Sequence, residues 1–181
     1  MRIARLLSSL ALLAGGVLLT ATAAAAQERP NVGITIGYPA AVGVLWHATD
    51  SVAIRPDFRF SGSSSEPGGV DGWTFATGVT ALFYAPAAEN VRTYIAPRLD
   101  YQRNSTTVSA LGLEQTRTSN AWGISGSFGA EYTPNRRFGV FGEIGLSYSR
   151  LKTEAVASLS EGTSHGWGTR AGVGVIFYPG S

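Results

Sequence analysis

From Phe138 the chain alternates: Phe138, Val140, Gly142, Ile144, Leu146 and Tyr148 fall on one face of an extended segment, and Gly139, Phe141, Glu143, Gly145, Ser147 and Ser149 on the other. A period of two predicts a strand, since successive side chains point to opposite sides. The same grammar runs from Ala121 to Tyr132 and from Trp167 to Phe177. It recurs upstream from Val52 to Phe60, from Trp73 to Tyr84 and from Val91 to Gln102. The stretch from Val32 to Ala48 is interrupted at Tyr38-Pro39-Ala40 and reads as a hairpin, Val32 to Gly37 and Ala41 to Ala48. Each half is shorter than the roughly 9 to 11 residues of a tilted bilayer-crossing strand, and the alternative is one kinked strand and seven in all. Parity favours the hairpin. Connections at one end are short (Thr49 to Ser51, Ala85 to Asn90, Thr133 to Arg136), and those at the other are longer and polar (Ser61 to Gly72, Asn104 to Ser119, Lys152 to Ser164). An even strand number returns both termini to the short-turn end. The expectation is therefore an all-β, closed, eight-stranded antiparallel up-and-down transmembrane barrel.

Pro56 and Pro97 lie inside two of these segments, where they cannot donate to a ladder. Both predict a bulge or irregular pairing, and not a strand end.

The two faces differ in chemistry. The apolar face carries no charged residue in any of the eight segments, whereas the other carries Arg55, Asp57, Arg59, Arg92, Arg98, Asp100, Glu131, Arg137, Glu143 and Arg170. Sorting alone leaves open whether the charges face water around a soluble periplasmic barrel or face a lumen. The aromatic residues decide the direction. Trp46, Trp73, Trp122 and Trp167 lie on the apolar face near strand ends, with Tyr38, Phe60, Tyr101 and Tyr148 at one level and Phe83, Tyr132, Phe138 and Phe177 at the other. Two aromatic belts on an apolar surface are what membrane interfaces favour, so the partner of this face is outer-membrane lipid. The glycine- and serine-rich charged face then fills a narrow interior. There Arg55, Asp57, Arg59, Arg98, Asp100, Glu131, Glu143 and Arg170 are expected to form a packed ion-pair network, because buried charges have to be paired.

The first 26 residues stand apart. Arg2 and Arg5 precede an apolar run from Leu6 to Leu19 and the small residues Ala24-Ala25-Ala26. This is the pattern of a secretory signal peptide, which leaves residues 27–181 as one barrel domain, exported across the inner membrane. Without Arg2 and Arg5 the 14 basic residues become 12 against 12 acidic ones, so no nucleic-acid footprint remains. The chain has no cysteine and 23 glycines. Thiol chemistry and a lipoprotein anchor are thereby excluded.

In these strands the sequence resembles the small eight-stranded bacterial outer-membrane barrels of the OmpA-domain and OmpX kind, within the porin-like superfamily. The last strand, Arg170-Ala171-Gly172-Val173-Gly174-Val175-Ile176-Phe177, is similar to the C-terminal signal of that family. The resemblance implies recognition by the barrel-assembly machinery, followed by Tyr178 to Ser181 instead of ending on the aromatic. A monomer is expected, with no cofactor and no catalytic residue.

Candidate chemistry is sparse. His47 and His165 are the two histidines, and neither has a second histidine at metal-ligand spacing. Ser164, His165 and Glu161 lie close in sequence but match no catalytic pattern. The leading expectation is a structural or surface-interaction barrel with a filled lumen and polar external loops. The alternatives are a narrow porin for small solutes and a lipid-modifying outer-membrane enzyme.

Overall fold

The computed structural model describes residues 31–38, 41–65, 70–86, 90–110, 113–155 and 162–179. The expected leader, residues 1–26, lies outside them, as do Pro39 and Ala40 at the tip of the first hairpin.

Eight strands follow in chain order: β1 Val32–Tyr38, β2 Ala41–His47, β3 Val52–Ser65, β4 Val70–Tyr84, β5 Val91–Ala110, β6 Leu113–Asn135, β7 Phe138–Ala155 and β8 Gly162–Phe177. Each pairs antiparallel with its sequence neighbour, and β1 closes the ring on β8 through the pairs from Ile34↔Phe177 to Tyr38↔Val173. The interrupted N-terminal stretch is thus two strands. Closure leaves no free edge at this level, which suits a wall facing hydrocarbon. Wild-type protein should migrate faster unboiled than boiled on a detergent gel, and identical migration would deny a detergent-stable closed ladder.

The faces fall as the alternation predicts. Ile95, Leu99, Ile124, Phe128, Ile144, Leu146 and Val173 are more than half exposed, while Leu45, Leu82, Tyr94 and Ile176 are buried inside. Outward apolar side chains and inward polar ones invert the soluble pattern, and the inversion is stable only in lipid.

The two prolines disturb the ladder without shifting it. β2 and β3 pair at Val42↔Phe58, Gly43↔Asp57, Trp46↔Ile54 and His47↔Ala53, with the pairs between them missing opposite Pro56. Its carbonyl oxygen points at Gly43, 2.5 Å from where a Cβ would stand, so the absent N–H belongs to that same side. β4 and β5 lapse likewise between Thr80↔Arg98 and Phe83↔Ile95, beside Pro97. Pairing is irregular, as expected at both, but neither forms a bulge. A register shift occurs instead between Tyr132 and Asn135, at Pro134 near the end of β6 and just before the β6–β7 turn. There Asn135 Oδ1 accepts a hydrogen bond from the Arg137 backbone N–H at 3.0 Å. Arg137, expected on the inner face, lies in this turn and not in a strand.

The three long polar connections need correction. Ser61 to Gly72, Asn104 to Ser119 and Lys152 to Ser164 are mostly ladder: Ser65 pairs with Val70, Ala110 with Leu113 and Thr153 with Gly162. Their serine and threonine content marks where the wall enters water. A two-stranded ribbon satisfies its own backbone there, so polarity does not end it.

Candidate functional site

The lumen is built in three levels from the short-turn end upward. At the floor, Leu45, Leu82, Tyr84, Tyr94, Ile176 and Tyr178 are all buried. Glu131, 1% exposed, organises them. Its carboxylate accepts hydrogen bonds from Tyr84 Oη at 2.7 Å, Arg92 Nη2 at 3.2 Å, Thr133 Oγ1 at 3.2 Å and Tyr178 Oη at 3.3 Å. The Arg92 guanidinium also stacks over the Tyr84 ring, 4.0 Å from its centroid. His47 lies against Tyr84 and Tyr178, with Nε2 3.4 Å from the Tyr178 hydroxyl.

Above the floor, Arg55 Nη2 donates to Glu143 Oε1 at 2.6 Å, and Tyr94 Oη donates to the same oxygen at 2.9 Å. Arg98 grips Asp57 with both terminal nitrogens, Nη2 reaching Oδ1 at 2.8 Å. Several large inward side chains rest on a glycine of a neighbouring strand. A Cβ on Gly129 would stand 2.5 Å from the Tyr94 ring, one on Gly174 2.5 Å from the Phe141 ring, and one on Gly78 would collide with the Arg98 guanidinium. This helps explain why glycine crowds the charged face: in a small bore a bulky group finds room where the adjacent strand has no side chain.

The top level is open. A cavity of about 170 Å³, lined by Arg55, Asp57, Arg59, Arg98, Asp100 and Arg170 among others, ends on Phe141 and Glu143 and does not touch the tyrosine floor.

The predicted eight-residue charge network is therefore divided. Arg55 joins Glu143, Arg98 joins Asp57, and Glu131 sits apart with Arg92. Among the described residues, Arg59, Asp100 and Arg170 have no opposite charge within 4.0 Å; Arg59 Nη2 contacts Gln102 Oε1 at 3.5 Å. Sequence reasoning placed Arg92, Tyr84 and Tyr94 inside but assigned the tyrosines no role. Their signal was legible: large aromatic residues on a face otherwise made of small ones must fill the bore. Tyr178 was not legible, because it follows the last strand residue.

On the outer wall Trp46, Phe83, Tyr132, Phe138 and Phe177 are exposed near the short-turn end. Towards the other end stand Trp73, Trp122 and Trp167, with Tyr101 packed on Trp122 at 4.6 Å and Tyr148 on Trp167 at 4.9 Å between ring centroids. The pairs Trp73 and Phe83, Trp122 and Tyr132, Phe138 and Tyr148, and Trp167 and Phe177 are each ten residues apart on one strand. At about 3.4 Å per residue and a tilt near 40°, that separation is about 26 Å of height, an apolar band's thickness. Tyr38 departs from the expected level: it pairs with Val173, six residues short of Trp167.

The remaining candidates do not assemble. Ser164 and His165 are consecutive residues of an extended strand, paired with Leu151 and Arg150, so their side chains point to opposite faces. Glu161 lies outside the described residues. Among the described residues no three His, Cys, Asp or Glu side chains form a metal-binding group.

A protein family described as "Outer membrane protein beta-barrel domain" matches residues 9–180. The chain is similar to the solved structure of a major outer membrane protein from Thermus thermophilus, at 13% identity and a TM-score of 0.55, covering 81% of this chain and 97% of that one. It is also similar to Neisserial surface protein A, with 14% identity, a TM-score of 0.46 and coverage of 81% and 92%. Ail, the attachment invasion locus protein of Yersinia pestis, gives 16%, 0.42 and coverage of 82% and 98%. No curated protein matches the chain by sequence. At such identities the first of these structures supports the fold alone.

Proposed function

The chain belongs to the outer-membrane β-barrel domain family, and on that premise we propose that it is a non-conducting, non-enzymatic surface barrel that presents its three long hairpins outside the cell. In this reading residues 1–26 direct export, β8 is read by the barrel-assembly machinery, and the short turns face the periplasm. The protein acts as a monomer held by outer-membrane lipid at its aromatic belts.

One observation carries the non-conducting reading. The floor residues Leu45, Leu82, Tyr94 and Ile176 are each 2% exposed or less, and Glu131 ties the surrounding hydroxyls and Arg92 together. A solute entering the upper cavity meets packed side chains, and conduction would require breaking that network in a bore with no room for its members to retreat. The hairpins are then the surface left for interaction, as in other proteins where function sits on loops carried by a rigid scaffold.

Purified protein in a planar bilayer should give no reproducible ohmic steps. Uniform steps in wild-type protein would instead favour the narrow-porin alternative.

A further inference from the structure

The barrel wall is notched. β1 and β2 stop at Tyr38 and Ala41, while both flanking strands continue: β3 pairs with β2 only as far as Phe58 and runs on to Ser65, and β8 pairs with β1 only from Val173 but begins at Gly162. Among the described residues, the edges above these pairs have no ladder partner on that side. On β8 the last pair is six residues short of Trp167, and on β3 it is two residues short of Phe60. The notch therefore opens below the aromatic belt, within the apolar band. An open strand edge at that depth is tolerated only where it lines a space holding water or another polar group.

The side chains beside the notch indicate what that group is. Arg59 on β3 and Arg170 on β8 lie just above the last paired residues, and both line the upper cavity. Arg55 and Arg98 in the same cavity are each held by a carboxylate, but Arg59 and Arg170 are not. The remaining acid, Asp100 on β5, lines the same cavity and with Glu143 and Asp57 acts on Arg170 through space, but none of the three comes within 4.0 Å of it. A Cβ on Gly123 would be 2.7 Å from the Asp100 Oδ2, so the carboxylate lies against the β6 backbone. Two guanidinium groups thus line a cavity of about 170 Å³ beside the notch, and on the outer wall of the flanking strands Phe60, Tyr38, Val173 and Trp167 are exposed.

We propose that Arg59 and Arg170 bind the phosphate of a phosphorylated outer-leaflet glycolipid, whose head group enters the cavity through the notch while its acyl chains lie on the apolar wall. Guanidinium forks match phosphate oxygens bidentately. A free phosphate offers the same oxygens, but the lateral doorway at membrane depth and its apolar surround fit a ligand with chains attached. The proposal rests on the reading that the long-hairpin end faces outward.

The test uses the full processed protein in detergent micelles, titrated with bisphosphorylated lipid A, with dephosphorylated lipid A and with inorganic phosphate. Binding is read by native mass spectrometry and by tryptophan fluorescence. Wild type should bind the bisphosphorylated form at least tenfold more tightly than the dephosphorylated one, and the double variant Arg59→Gln/Arg170→Gln should lose that preference. Gel mobility of the unboiled variant verifies folding, and Arg59→Lys/Arg170→Lys, which keeps the charge, should retain part of the preference. An unchanged preference in the folded glutamine variant overturns the site. Equal affinity for inorganic phosphate overturns the lipid assignment. Orientation is read separately, by whole-cell labelling of an epitope inserted after Ser64, so failure of the site and failure of the outward reading are distinguishable.

Discussion

Glu131→Ala should unfold at much lower urea than wild type, with a stability loss of about 3–5 kcal/mol. The alanine removes the acceptor of four side-chain hydrogen bonds, from Tyr84, Arg92, Thr133 and Tyr178. It also leaves the Arg92 guanidinium buried without its carboxylate, among aromatic rings at the floor of the bore. Removing one partner of a buried pair costs far more than the pair's net contribution, because the remaining charge is neither hydrated nor neutralised. Glu131→Gln keeps the shape and one acceptor oxygen, so its loss should be clearly smaller. The check is the urea midpoint of each variant refolded in phospholipid vesicles, followed by gel mobility without boiling. Equal midpoints for wild type and Glu131→Ala would mean the floor is held by apolar packing alone.

The architecture was largely legible because membrane barrels carry information on both faces. In a strand such as Phe138–Ala155, Ile144 and Leu146 meet lipid while Glu143 meets Arg55, so one alternation reports two environments. The strand lengths were not legible. Ser61 to Ser65 has no apolar alternation and Asn104 to Ala110 only Val108 and Ala110 at its end, and a ribbon in water needs no hydrophobic signature because its ladder hydrogen bonds suffice to continue it. Expecting polar segments to be loops confused a change of solvent with a change of backbone.

The lumen was legible in composition but not in pairing. Period-two reasoning places Arg59, Arg98, Arg170, Asp57 and Asp100 inside, yet partners across a barrel depend on the stagger between strands, which no single strand records. Arg98 therefore reaches Asp57, 41 residues away, and not its near neighbour Asp100. Two residues apart on one strand, both inward, Arg98 and Asp100 sit at different heights, and Gly78 and Gly123 provide each with its own seat. The notch escaped sequence reading for a related reason. That β1 and β2 are short was visible, but the consequence appears only once β3 and β8 are seen to run past them.

Glycine spacing leads to the second large effect: Gly145→Ala should fail to form the fast-migrating folded species, while Gly142→Ala, three residues earlier on the same strand, should fold as wild type. Gly145 faces inward beside Ser127 on β6, and a methyl group there would overlap the Gly126 carbonyl oxygen and stand 2.6 Å from the Ser127 Cα. These are backbone atoms fixed by a ladder that runs unbroken from Tyr132 to Arg117 opposite β7, so no rotamer change relieves the overlap. Overpacking relieved by side-chain shifts costs about 1–3 kcal/mol, and a clash requiring two strands to separate should exceed that range. Gly142 faces outward with nothing within 4 Å of its added Cβ. Alanine there should be neutral or gain up to about 1 kcal/mol from the lower entropy of the unfolded chain. The measurement is the folded fraction of both variants after refolding into vesicles, read by unboiled gel mobility. Equal yields would show that β6 and β7 can move apart at Ser127, and the close approach would then not be what requires glycine at position 145.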